Sequence, residues 1–180
     1  MERAKAFELV KEKVSNKNLT KHMLACEAVM CALAKKYGEN EDQWGLAGLL
    51  HDLDYDLTVN DFKNHGLVTA KWLEDKVNKD VIDAITAHPG HFPRNSKMAK
   101  ALYAVDPLTG LIVACALIHS AKKLSAIDAD FVLKRFDEKR FAAGANREQI
   151  KSCSELDMPL EEFIAIGVKA MQEIAEDLGL

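Results

Sequence analysis

The chain has 180 residues, 48% of them hydrophobic, 29% charged and 7% aromatic, with a formal net charge of −4. That length and composition suit one domain over residues 1–180 with a substantial buried core. The acidic balance gives no basic footprint for double-stranded nucleic acid, no apolar run reads as membrane-spanning, and the charged start MERAKAFELVKEKV is unlike a secretory signal.

Helical periodicity runs almost throughout and strand signals are nearly absent, so the expected fold class is all-α, a single-domain helical bundle. A short first helix is predicted over 2–15. The second starts near Asn18 or Thr20, either a suitable N-cap, and runs to Tyr37, with Gly38 as its stop. A third covers 41–52, a fourth 61–76, and a fifth 79–88, stopped by Pro89 and Gly90. The segment HPGHFPRNS, 88–96, is a loop. Helical patterning resumes at Ser96 and continues to 118, with a kink or a new start at Pro107. Helices at 128–136, 146–153 and 159–178 finish the chain, with Phe131, Phe136 and Phe141 packing the terminal part onto the rest. The four cysteines, Cys26, Cys31, Cys115 and Cys153, form no C-x-x-C pair and read as reduced thiols of a cytoplasmic protein.

Several ionisable residues fall on apolar faces. His22 shares a helical stripe with Cys26, Val29 and Leu33; His65 precedes Val68 and Trp72 at offsets three and seven; His88 closes a stripe of Val81 and Ile85. Asp106 lies four residues after Leu102 and seven before Val113. In GLAGLLHDLDYDL an apolar helix ends in His51 and Asp52, followed by Asp54 and Asp56. Buried ionisable groups are costly unless paired or bound to metal, and imidazole with carboxylate suits Fe, Mn, Co, Ni or Zn. Adjacent helical residues diverge by about 100°, so for His51 and Asp52 to serve one centre the helix must present both toward a shared cavity, or the carboxylate must sit between two ions.

The ordered set His22, His51-Asp52, His65, His88 and Asp106 resembles the HD superfamily of metal-dependent phosphohydrolases, over roughly residues 18–120. The resemblance implies an all-α fold around a metal centre. His22, His51, Asp52 and Asp106 would hold one divalent ion, His65 and His88 a second, with Asp52 bridging. His65 and His88 resemble the extra ligands of two-metal members such as diadenosine tetraphosphate hydrolases and cyclic dinucleotide phosphodiesterases. Pro89 after His88 and Pro107 after Asp106 depart from the first of these branches, and the Gly-Tyr-Pro signature of the second is absent, so the substrate does not carry over.

The expected chemistry is hydrolysis of a phosphate ester or nucleotide-type substrate by metal-activated hydroxide. Asp52 and Asp54 are the catalytic candidates: Asp54 either orients the water, supports a ligand histidine, or sits in a solvated acidic turn. His91, Arg94, Lys97 and Lys122 are the candidate contacts to a phosphate, while His119 reads as surface or core. A di-iron oxygenase and a non-catalytic metal- or nucleotide-binding signalling module use the same ligand types. A homodimer through the terminal helices is compatible with the sequence.

Overall fold

Two long helices form the frame of the computed structural model, which describes residues 1–138 and 140–180. The first, α2 (Lys17–Tyr37), follows the short α1 (Arg3–Lys13). Its N-cap is Asn16, whose side-chain oxygen accepts the amides of Asn18 and Leu19 at 2.9 and 3.4 Å. Asn18 and Thr20, expected as caps, therefore lie inside the first turns. Gly38 ends the helix as expected, in the left-handed region at φ +65°.

The second long helix, α7 (Lys97–Ile118), is capped by Ser96 and neither starts nor stops at Pro107. Proline has no N–H for the carbonyl four residues earlier, which is that of Tyr103. Gln149 Nε2 donates to that carbonyl at 2.8 Å and restores the missing bond from outside the helix. By length and composition alone α7 could cross a membrane, with a mean hydropathy of 1.9 in its most apolar window. The expectation that no run reaches that length is corrected on this point. Its apolar character serves the core instead: 56% of that window is buried within the fold.

Between them come α3 (Glu41–Leu50), α4 (Tyr55–Thr58), α5 (Leu67–Leu73) and α6 (Lys79–Ala87). The predicted helix over 61–76 is broken: Phe62–Asn64 is a 3₁₀ turn, His65 is extended, and Gly66 takes φ +79° before α5 begins. Then follow α8 (Ala129–Phe136), α9 (Arg147–Lys151), α10 (Leu160–Glu173) and α11 (Ala175–Leu178). The predicted last helix is interrupted at Ile174, φ −115° and ψ 21°, and that at 146–153 passes into a 3₁₀ turn at Ser152. No strand occurs among the described residues, so the fold is all-α.

Packing brings the ends of these helices together. α10 lies against α2, α7 and α8, and α6 lies against α3, α5 and α7. Behind α8, the Arg147 guanidinium donates to the carbonyls of Phe136, Phe141, Ala142 and Ala145 at 2.6–3.0 Å, gathering that turn around one side chain. α3 packs tightly on α2. A Cβ on Gly48 would sit 2.7 Å from the backbone of Cys26 and Glu27, so only glycine permits this separation. The contact delivers the C-terminal end of α3, and the residues after it, to the flank of α2.

Gly48→Ala is therefore expected to force the two helices apart. Thermal or denaturant unfolding should read a loss of about 1–3 kcal/mol, the usual cost of overpacking.

Candidate metal centre

Four imidazoles meet where α2, α3, α6 and the segment before α5 converge. Each has its Nδ1 committed. His51 and His88 each follow the last residue of a helix and bond the carbonyl three residues back: His51 Nδ1 to Gly48 O at 2.8 Å, His88 Nδ1 to Ile85 O at 2.6 Å. Carbonyls in the last turn of a helix lack intrahelical donors, so the rings satisfy them. His65 Nδ1 donates to Asp54 Oδ1 at 2.8 Å. His22 Nδ1 lies 2.9 Å from Thr109 Oγ1, which itself donates to the Asp106 carbonyl at 3.0 Å and so accepts the His22 proton.

With every Nδ1–H spent, each ring in its neutral form presents its Nε2 lone pair to the interior. These lone pairs face one another, His51 to His22 at 3.3 Å and His65 to His88 at 3.1 Å. The Asp52 carboxylate stands between the pairs. Its Oδ1 is 3.2 Å from His65 and 3.4 Å from His88, and its Oδ2 is 3.5 Å from His51 and 3.7 Å from His22. Asp106 Oδ1 lies 3.2 Å from His22 Nε2. Facing lone pairs repel unless a cation lies between them. Metal–nitrogen bonds of about 2.0–2.1 Å in tetrahedral geometry put two ligand nitrogens about 3.3–3.4 Å apart. The His22–His51 pair at 3.3 Å fits that separation and the His65–His88 pair at 3.1 Å is slightly shorter; all six expected metal ligands, His22, His51, Asp52, His65, His88 and Asp106, are linked by such short distances.

Asp54 is neither in a solvated turn nor open to the interior of the cluster. It is fully buried, and its carboxylate accepts His65 Nδ1 at 2.8 Å together with the amides of Gly66 and Thr69, each at 2.9 Å. Its own amide donates to Thr69 Oγ1 at 3.1 Å. That leaves Asp54 to hold His65 rather than to orient water. The expectation that His65 is buried by a stripe with Val68 and Trp72 is also corrected. Both of those residues are only half-buried, His65 is not helical, and Asp54 and the bend at Gly66 turn its ring inward.

The electrostatics follow from this packing. Burial drives His51 down to about 4, so it stays neutral. Burial also opposes ionisation of Asp52, yet the surrounding imidazoles outweigh it and hold the carboxyl well below the usual range. Asp54 is likewise lowered against its burial, by His65 and the Thr69 and Gly66 amides. Burial disfavours protonated His65, but Asp52 and Asp54 together push it up to about 9.

None of the four candidate phosphate contacts makes a hydrogen bond or ion pair to this group among the described residues. Arg94 donates to Glu155 at 2.7 Å and stacks over Tyr103, and Lys97 approaches Glu39 at 3.7 Å over Tyr37. Lys122 is exposed in the turn after α7. His91 is exposed and donates to the Phe62 carbonyl at 2.9 Å; the Phe62 ring in turn lies 5.1 Å from His65. Asp56 accepts the Ser15 amide and hydroxyl, and His119 Nδ1 accepts the Ala121 amide beyond the end of α7. Sequence reasoning misses Thr109, although it lies three residues after Asp106 on the same helix. Cys26 Sγ lies 3.8 Å from both ring nitrogens of His22. Among the described residues, Cys26 with His22 and His51 is one of two groups whose ligand atoms lie close enough together to hold a metal ion, the other being His51, Asp52 and His88.

A family model for the HD domain matches residues 19–130, a span that holds all six ligand candidates. The chain belongs to the HD-domain family. Its His/Asp clusters are of a kind that can hold a divalent metal, as in other HD domains. A search of the curated proteins finds no match to the chain.

In this HD-domain protein stripped of metal by a chelator, a proton on His65 Nε2 takes over the bond to Asp52. The folded value of about 9 exceeds the unfolded value of about 6.5. The resulting stability is complete below about pH 6.5 and is lost as pH rises through about 9. The melting temperature of the stripped protein should fall across that window, added divalent metal should reverse the fall, and Asp52→Asn should flatten it.

Proposed function

We propose that this protein is a metal-dependent phosphohydrolase with a dinuclear centre, cleaving a small-molecule phosphate ester or nucleotide. The observation that carries the reading is the division of Asp52, with Oδ1 toward His65 and His88 and Oδ2 toward His22 and His51. One carboxylate serving two imidazole pairs is what a bridging ligand requires. His22, His51 and Asp106 complete one half and His65 with His88 the other. Two bound ions would supply an activated water near neutral pH and neutralise phosphoryl oxygens during displacement.

The chain's own residues set how a substrate arrives. The His22 and Asp106 side chains keep 22% and 30% of their surface exposed, against 8% for Asp52 and 4% or less for the other three histidines. A phosphate group is therefore expected to enter along the His22–Asp106 edge. Asp106 stays fixed there through its helix, and Thr109 keeps the His22 lone pair turned inward as the substrate docks. With Arg94 and Lys97 engaged by Glu155 and Glu39, positive charge for the phosphate is assigned to the ions rather than to these side chains. The free cysteines suit a reducing compartment, in keeping with a cytoplasmic location.

Metal content and phosphate release, measured side by side in wild type and Asp52→Ala with mononucleotides and small phosphate esters as substrates, test the reading. About two ions per chain are expected in wild type, with turnover that persists without oxygen; the variant should lose both metal and phosphate release. Turnover only with oxygen would indicate an oxidase-type centre, and retained metal with no turnover of any phosphate substrate would indicate a binding module.

A further inference from the structure

Three of the four histidines take their orientation from helices. His22 rides on α2 and faces Thr109 on α7, while His51 and His88 bond carbonyls in the last turns of α3 and α6. His65 has no such support. It is extended, at φ −62° and ψ 133°, between a 3₁₀ turn and a left-handed glycine. Besides the amide bond of His65 to the Phe62 carbonyl and the Thr58 hydroxyl 3.2 Å from its Nδ1, this stretch is fixed by one side chain: Asp54 takes the His65 ring N–H and the amides of Gly66 and Thr69, so ring, bend and first turn of α5 share one acceptor.

The turn at 51–54 thus does four separate jobs. His51 points into the centre, Asp52 divides it, Leu53 enters the core, and Asp54 reaches around the back of His65. A carboxylate behind a ligand imidazole orients the ring and strengthens it as a donor, and losing such a partner typically lowers metal affinity 10–100-fold. Here the effect is confined to one half, because no hydrogen bond links Asp54 to His22, His51 or Asp106 among the described residues.

We propose that Asp54 is a positioning residue that governs occupancy of the His65–His88 half, and so decides whether the centre holds two ions or one. The proposal rests on the dinuclear reading above.

The test is reconstitution of chelator-stripped protein with Mn²⁺, read by metal content, by calorimetric titration and by electron paramagnetic resonance. Wild type should bind two ions and give the signal of a spin-coupled pair. Asp54→Asn should keep one ion at wild-type affinity, bind the other about 10–100-fold more weakly, and at limiting Mn²⁺ give the signal of isolated ions. Thr109→Val, which removes the acceptor for His22 from the opposite half, should leave the His65–His88 ion unaffected. A coupled pair with unchanged affinities in Asp54→Asn overturns the proposal, as does equal weakening of both ions. Circular dichroism checks the fold. If Asp54→Asn fails to fold, Asp54→Ser, which leaves space for water at the same donors, takes its place; collapse of both makes Asp54 a residue of general stability and overturns the proposal. A wild type that binds a single Mn²⁺ overturns the dinuclear reading itself, an outcome distinct from all of these.

Discussion

The structure depends on one constraint: four imidazoles, each with its Nδ1 proton already committed, must bring their Nε2 lone pairs to one carboxylate. A buried lone pair facing another lone pair is unfavourable, and a proton or a metal ion between the rings relieves it. The rest of the fold can be understood as the scaffold for that convergence. Gly48 gives up its side chain so that α3 can touch α2, and the carbonyl of the same residue anchors the His51 ring. Gly66 takes a backbone conformation that other residues resist, so that the chain can turn His65 inward. α7 tolerates a proline beside Asp106 because another segment supplies the missing hydrogen bond.

The centre is graded from sealed to open. His51 and His88 are almost without solvent contact, and His65 is shielded by the rings of Tyr55 and Phe62. His22 and Asp106, on the two long helices, form the wetter edge. The two long helices therefore carry the more exposed members of the cluster, while the least regular stretch is kept behind aromatic cover. Positive side chains near the loop after His88 are spent on structure: Arg94 stacks on Tyr103 and bonds Glu155, tying that loop to the 3₁₀ turn after α9.

Much of this is legible in the sequence because helical periodicity reports local neighbours. The inward faces of His22 and Asp106 follow from residues three, four and seven positions away, and so do the long helices and the stop at Gly38. Periodicity places His65 correctly for the wrong reason. Its stripe with Val68 and Trp72 assumes a helix, whereas burial comes from an aspartate eleven positions earlier. Asp54 misleads in the same way, since a carboxylate in an acidic run looks solvated until its partners are known. Asn16 outcompetes two other candidates for the α2 cap, and Pro107 reads as a break because its rescuer, Gln149, lies far along the chain. Periodicity cannot register such distant hydrogen bonds.

The Gln149–Tyr103 bond bears on where this domain ends. The HD-domain match stops at residue 130, yet the carbonyl that Pro107 orphans inside the helix carrying Asp106 is satisfied from residue 149. Beside it, Arg147 gathers the preceding turn by its carbonyls, so the donor arrives on a stretch that is itself pinned. The recognisable family segment therefore stops short of a residue that completes the hydrogen bonding of α7. Truncation at the end of the match would cut through the hydrogen bonding of the ligand helix.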